Sequence, residues 1–313
     1  MADMVRLAGI DVSKDKLDVH VLPSGESRTV AYDRRGLAGL RRWLIGLGVA
    51  LVAVEASGGY EREVSEVLED AGLIVHRLNP LRVRRFAQLK GRLAKTDRLD
   101  ARTIAEFACA WPQERQPRRD PRRERLAEHL LVRRHTQDAI LDCINQLEHL
   151  RDGPLRRLVT ARKASLERVR DKLDRCLVEL IAEHDDLADL SERLRSVPAV
   201  GPVLATTLIA LLPELGSLTR RQIASLVGVA PFDRSSGRQN SPKSIEGGRA
   251  AVRKALYMAA MVASRHNPII AAFYERLAGK KGKVRLVACM RKLIVTLNAV
   301  VRDGTQWQQP RPT

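Results

Sequence analysis

The sequence predicts an α/β domain at the N-terminus, a long helical, coiled-coil-like spacer and a mainly α-helical C-terminal domain. Three observations predict it. Residues 1–78 alternate between β-rich runs and amphipathic helical ones. From Pro121 to about His184, glycine and clustered β-branched residues nearly vanish while apolar residues recur at threes and fours. Past Ser196, short helical patterns divided by Gly and Pro turns return. The expected domains are 1–118, 119–195 and 196–313, in keeping with a 313-residue chain long enough for two or three buried cores.

Val5 to Val12, Leu17 to Leu22 and Arg28 to Tyr32 read as strands, and the short links Ser13-Lys14-Asp15 and Pro23-Ser24-Gly25 fold them into an antiparallel meander. A helix at about 35–47, an apolar strand Val49 to Glu55, a helix at about 60–71 and a strand Leu73 to Leu78 continue as β-α-β alternation. Pro80 opens a further helix, and Thr96 caps one running through Asp97 to Ala110 that Trp111-Pro112 ends. In the spacer, Leu126, Leu130, Ile140, Ile144 and Leu147, then Leu166, Val169, Leu173, Cys176 and Leu180, mark two long helices broken at Asp152-Gly153-Pro154. They form either a hairpin packed on its own domain or an oligomer contact. Val197-Pro198-Ala199-Val200-Gly201-Pro202 leads into an Ala/Leu/Thr-rich helix, with another near Arg220 to Leu226. That turn is similar to the hairpin of helix-hairpin-helix DNA binders, which aims backbone N–H groups at phosphate, and a plain structural turn fits it equally. Residues 231–248 read as a polar loop, and Arg249 to Arg265 and Lys283 to Val301 as helices.

Charge narrows the function. The chain carries 55 Lys+Arg against 37 Asp+Glu, a net +18. By segment, residues 1–75 sum to −3, 76–134 to +10, 135–233 to −2 and 234–302 to +13. Two separate basic blocks point to a polyanion, nucleic acid, as partner. Arg82, Arg84 and Arg85 in the first block and Lys280, Lys281 and Lys283 in the second are the expected phosphate contacts. Aromatics are only 4% of residues, so phosphate contacts are expected to outweigh base stacking. No apolar run reaches the ~18–20 residues of a membrane span, which argues against a membrane partner. The N-terminus lacks the pattern of a secretory signal, and four scattered cysteines offer neither a disulfide framework nor a zinc site. A cytoplasmic protein is expected.

Carboxylates within a polyanion-binding protein repel the ligand unless a cation sits between. Asp11, in Gly9-Ile10-Asp11-Val12-Ser13, and Glu55, in Val52-Ala53-Val54-Glu55-Ala56, each interrupt an apolar strand, where a lone acid is costly unless it coordinates something. If those strands are neighbours, the two carboxylates meet. Asp97 and Asp100 stand three apart and share one face of a helix, so they can close the same site. Four oxygen donors suit one or two Mg²⁺ ions. Taken alone, Asp97 also fits as an early-helix acid and Asp100 as a partner of nearby arginines. Asp15 and Asp18 are set aside, one as a turn residue and the other as lying on a solvated strand face.

This order of strand Asp, strand Glu and Asp-x-x-Asp opening a helix resembles the RuvC-like, ribonuclease-H-fold domain of the DEDD transposases of bacterial insertion sequences, the insertion-sequence 110 family. The motifs are Gly9-Ile10-Asp11-Val12-Ser13-Lys14, Val54-Glu55-Ala56-Ser57-Gly58-Gly59-Tyr60 and Lys95-Thr96-Asp97-Arg98-Leu99-Asp100-Ala101. The C-terminal third agrees through Val227 to Gly237, Gly247-Gly248-Arg249 and Arg253 to Ala260. The resemblance implies a recombinase with an N-terminal catalytic domain, a coiled-coil spacer and a C-terminal transposase domain. It also implies a dimer or tetramer, guided by a structured bridge RNA that pairs with donor and target DNA. A serine before glycine in the C-terminal domain acts in the family as nucleophile toward DNA phosphate, and it corresponds to Ser236. The family often has an acid at the preceding position, where this chain has Ser235, so two hydroxyls compete. Gly237 beside Ser236 lets a phosphate approach, which favours Ser236. Its partners lie more than a hundred residues upstream, to be met between domains or between subunits. A hydrolytic junction nuclease or DNA invertase would keep the acids, and a noncatalytic nucleic-acid scaffold would need none of them.

Overall fold

The computed structural model describes residues 6–56, 58–91, 97–111, 120–232 and 244–308, with the backbone alone for 97–100 and 232. It divides into two compact units, Met1–Arg118 and Arg119–Thr313.

In the first unit, β1 (Leu7–Val12), β2 (Lys16–Leu22) and β3 (Ser27–Ala31) form the meander. Helix α1 (Arg34–Gly46), capped by Asp33, leads to β4 (Leu51–Glu55), α2 (Glu61–Asp70) and β5 (Ile74–Leu78). The sheet order is β3-β2-β1-β4-β5, antiparallel through β3-β2-β1 and parallel through β1-β4-β5. A meander whose first strand pairs with a parallel strand brought back by a helix is the mixed-sheet plan of the ribonuclease-H-like fold. Period-two alternation sorts the strands between two faces. Ala8, Ile10, Val12, Leu17, Val19, Val52 and Val54 bury in one core cluster with residues of α1 and α2. Leu7, Ala53 and Leu78 bury on the other face, with Val83 of α3 (Pro80–Leu89) and Ile104, Ala105, Phe107 and Ala108 of α4 (Asp97–Ala110). Phe86 and Phe107 meet edge to face, ring centres 5.5 Å apart, and lock α3 to α4. The expected Thr96 cap lies outside the described residues.

In the second unit, α5 (Pro121–His149) and α6 (Gly153–Ala182) make an antiparallel hairpin whose turn is set by Asp152, capping α6 through the Leu155 N–H at 2.8 Å. Leu126, Leu130, Leu177, Leu180 and Ile181 at its base belong to the same core as helices α7 (Asp185–Arg195), α8 (Pro202–Leu211), α9 (Arg220–Val227), α10 (Ala250–His266), α11 (Pro268–Arg276) and α12 (Gly282–Asp303). Residues 119–195 and 196–313 thus share one core. Further along the hairpin Ile140 and Cys143 stay buried, while Ile144 and Val169 are exposed. The turn between α7 and α8 packs inward through Val197 and Val200, and the Asn267 side chain donates to the Pro198 carbonyl at 3.1 Å. Sequence patterning passed over α7 and α11. Acidic Asp185 and Asp186 open the first, and Asn267 caps the second through the Ile269 and Ile270 N–H groups. Among the described residues no helix is long and apolar enough to cross a membrane, and the four cysteines are free thiols.

Candidate active site

The parallel register of β1 and β4 runs from Leu7 opposite Leu51 to Ile10 opposite Val54. One residue further, Asp11 and Glu55 follow side by side, on strands about 4.8 Å apart. Alternation puts both on the face that carries Leu7, Gly9 and Ala53, which α3 and α4 cover. Both are half-buried.

Gly9 explains how α4 comes so near. A Cβ on Gly9 would lie 2.3 Å from the Ala101 carbonyl oxygen and 2.5 Å from the Ala105 nitrogen. Helix backbone rests directly on strand backbone here, an approach only glycine permits. Gly9 precedes Asp11 by two residues and Ala101 follows Asp100 by one. The backbone therefore brings the first turn of α4, on which Asp97 and Asp100 are the first and fourth residues, to the strand that carries Asp11. The side chains of Asp97 and Asp100 lie outside the described residues.

Across the antiparallel pairing, Asp11 faces Asp18 of β2. The expectation that Asp18 lies on a solvated face is wrong: it is 5% exposed. The reason is α4, which packs over β2 as well as β1 and covers the polar side of that strand. Asp18 accepts a hydrogen bond from the Thr29 hydroxyl and pairs with Lys16 Nζ at 3.1 Å. Two residues on, buried His20 meets the Ser27 hydroxyl at 2.7 Å. Burial pushes its pKa below the ordinary histidine value, the Arg102 charge lowers it further, and Glu106 opposes them. A cavity of about 250 Å³ opens beside this group, lined by Asp18, His20, Arg28, Thr29 and Ala101 among others. Polar alternation in Lys16-Leu17-Asp18-Val19-His20 was the available signal, but it does not say whether water or a helix covers the polar side.

Carboxylates offer only oxygen donors, the kind a hard divalent cation takes. Among the described residues no group of three or more His, Cys, Asp and Glu side chains is arranged to hold a metal. Of the four acids expected from the sequence, the described side chains include Asp11 and Glu55.

Ser235 and Ser236 lie outside the described residues, but the stem of their loop does not. Strands β6 (Pro231–Phe232) and β7 (Ser244–Ile245) pair antiparallel and close it. Helix α9 ends at Gly228 with φ +77, and a Cβ there would lie 2.3 Å from the Gly247 carbonyl oxygen. Gly248, φ +69, is as tightly set against Gly228, its Cβ position 2.3 Å from the Gly228 nitrogen. Arg249 then anchors the returning chain: its N–H donates to Leu226 O at 3.0 Å, and its guanidinium reaches Leu211 O at 2.8 Å and both Glu214 oxygens at 2.6 and 2.5 Å. Burial pushes the Glu214 carboxyl up, but the Arg249 hydrogen bonds and the backbone outweigh it and hold the group below the ordinary carboxylate value. Of the expected phosphate contacts, Arg82, Arg84 and Arg85 are exposed on α3, and Lys280, Lys281 and Lys283 are exposed at the start of α12.

Comparison with known proteins decides the family. A DEDD transposase model of the IS110 group, described as "Transposase", matches residues 8–153, and "Transposase IS116/IS110/IS902 family" matches residues 191–275. The chain belongs to the IS110 family of transposases. It is thus a DNA transposase or recombinase. Pilin gene-inverting proteins of Moraxella lacunata and Moraxella bovis are each 24% identical over 95% of this chain and 95% of their own. An IS110 uncharacterized 43.6 kDa protein of Streptomyces coelicolor is 30% identical over 39% of this chain and 31% of its own. Among solved structures, T. thermophilus RuvC in complex with a Holliday junction substrate is similar at 17% identity. It covers 34% of this chain and 96% of its own at a TM-score of 0.27.

Proposed function

We propose that this IS110-family transposase cuts and rejoins DNA through a covalent link to Ser236, with Asp11, Glu55, Asp97 and Asp100 holding one or two Mg²⁺ ions. A structured bridge RNA selects donor and target DNA, and the chain works as a dimer or tetramer. The observation that supports the reading is the parallel register of β1 and β4, whose last pair, Ile10 and Val54, comes one residue before Asp11 and Glu55, together with the α4 backbone resting on Gly9. When bound, the metal would supply positive charge to polarise a phosphate and stabilise a departing oxygen.

The chain's own residues do the rest. The Ser236 Oγ attacks phosphorus, forming a P–Oγ bond as one backbone P–O bond breaks; the hydroxyl proton leaves and the departing sugar oxygen gains one. Attack by the hydroxyl of another strand reverses the step and frees the serine, so no bond energy is lost to water. The basic faces of α3 and of the start of α12 hold the phosphates through charge, without reading sequence. The full-length similarity to gene-inverting proteins favours one variant of this reading, in which the same chemistry inverts a segment instead of moving it.

The test is a denaturing gel after incubation with Mg²⁺, guide RNA and labelled DNA. Wild type and Ser235→Ala are expected to show a protein–DNA adduct, and Ser236→Ala to bind without one. Adduct loss only in Ser235→Ala would move the nucleophile by one residue. An adduct in both variants would reject the serine mechanism, and cleavage by Ser236→Ala at near-normal rate would establish hydrolysis by water instead.

A further inference from the structure

A second cavity, of about 430 Å³, lies in the C-terminal unit, bounded by α10, α11 and the beginning of α12. Its chemistry is sharply sorted. Met261 and buried Leu286 are apolar, Tyr257 and Tyr274 supply aromatic rings, and Arg265 and Lys283 carry positive charge. The acid on its lining, Glu275, pairs with Arg285 at 3.5 Å. Arg285 also stacks on the Tyr274 ring, its guanidinium carbon 3.7 Å from the ring centre, and donates to the Tyr274 carbonyl at 3.0 Å. Tyr274 is thereby held in place, whereas Tyr257 keeps 40% of its surface exposed. The whole chain has four tyrosines, and two of them line this one cavity.

We propose that this cavity receives one unstacked nucleotide of a single-stranded nucleic-acid segment, its base against Tyr257 and its phosphate on Arg265 and Lys283. The volume falls in the range of roughly 300–1,000 Å³ typical of small-ligand sites. A duplex presents phosphates on a convex surface with its bases stacked inside, so it cannot fill an apolar hollow between tyrosines. A base turned out of its stack offers a bare π-face, and aromatic side chains take such faces whatever the base. The location within the segment of residues 234–302, which sums to +13, sets a polyanion beside the opening. The proposal rests on the reading of the protein as nucleic-acid-binding and adds the form of nucleic acid and its seat. It also qualifies the expectation that phosphate contacts outweigh base stacking: aromatics are few, but here two of them are gathered.

The test measures binding of the full chain to fluorescent 12-residue oligonucleotides, single-stranded DNA, single-stranded RNA and blunt duplex DNA, over a salt series. Tyr257→Ala is expected to weaken single-strand binding by about tenfold, the effect of removing one stack, and Tyr257→Phe to restore it. Duplex binding is expected to stay within twofold in both. Arg265→Gln with Lys283→Gln is expected to lower the single-strand salt slope by about 1.4, about 0.7 for each phosphate no longer neutralised. The RNA and DNA arms show which strand is taken; a tyrosine-dependent loss in either supports the cavity. Unchanged single-strand binding by Tyr257→Ala, or an equal loss on duplex, overturns it. Wild type that forms the covalent adduct yet binds no single strand would remove the cavity proposal and leave the serine reading standing. Tyrosine-dependent binding without any adduct would do the reverse.

Discussion

Replacing Gly9 with alanine adds one methyl group and no charge, yet it strikes the contact that draws α4 to the acidic strand. The new Cβ would stand 2.3 Å from the Ala101 carbonyl oxygen, where ordinary contact begins at 3.4 Å. The difference, 3.4 less 2.3, means that the start of α4 must retreat by about 1 Å, because the obstructing atom is backbone and has no rotamer to change. Overpacking of this kind costs about 1–3 kcal/mol. At about 5 °C per kcal/mol for a domain of this size, the melting temperature of the N-terminal unit should fall by about 5–15 °C. A catalytic group displaced by about 1 Å loses roughly a hundredfold in rate. Gly9→Ala is therefore expected to keep nucleic-acid binding, melt early and cleave about a hundredfold more slowly at a temperature well below its melting point. The assay pairs thermal unfolding by circular dichroism with adduct formation on labelled DNA. Gly39→Ala in α1 is the control: its Cβ would meet nothing within 4 Å, and alanine favours the helix, so both readings should match or exceed wild type. A Gly9→Ala protein that melts early but cleaves normally would refute the reasoning, since Asp97 and Asp100 would then act without depending on how α4 sits on β1.

Asp11→Asn removes one negative charge from the face that approaches phosphate, so DNA and RNA affinity should hold or rise slightly while cleavage is lost; full cleavage by the variant would remove Asp11 from the site. His20 gives a pH signature. Its folded pKa lies below the ordinary 6.5, so the folded state binds fewer protons than the unfolded one. Its contribution is complete above pH 6.5 and declines as pH falls through that value toward the folded pKa. Chemical denaturation at pH 7.5 and 5.5 should show the stability of the N-terminal unit falling less in His20→Gln than in wild type, and an equal fall would show that His20 is not buried neutral.

The sheet was legible because its signals are local. Leu17, Val19 and Val21 alternate with polar neighbours, and links of three and four residues join the first strands, so strand identity and antiparallel pairing follow from nearest neighbours alone. That the strands carrying Asp11 and Glu55 are neighbours needed one step more, that the strand returning after α1 lies beside β1. That step was open to inference because the acids themselves asked for a partner. Asp18 was misjudged for the opposite reason. The alternation reports which side of β2 is polar, and only the path of a helix some eighty residues later decides whether that side meets water.

The stem of the serine loop shows the same limit at longer range. Gly228, Gly247 and Gly248 are visible as glycines, and a turn is a fair expectation at each. What they do is meet: the end of α9 and the chain returning to α10 pass so closely that a methyl on Gly228 would collide with the Gly247 carbonyl oxygen at 2.3 Å. Neither sequence neighbourhood implies the other, since some twenty residues separate them and the contact exists only once α9 and α10 pack on a common core. The positive φ at Gly228 and Gly248 adds a second demand that L-residues meet poorly, so steric crowding and backbone conformation both select glycine at one place. A close backbone crossing pinned by Arg249 to Leu211 and Glu214 fixes the two ends of the intervening loop to the rigid part of the unit. In the proposed mechanism such a stem would limit the entropy that must be lost to bring the Ser236 hydroxyl into line with a phosphate.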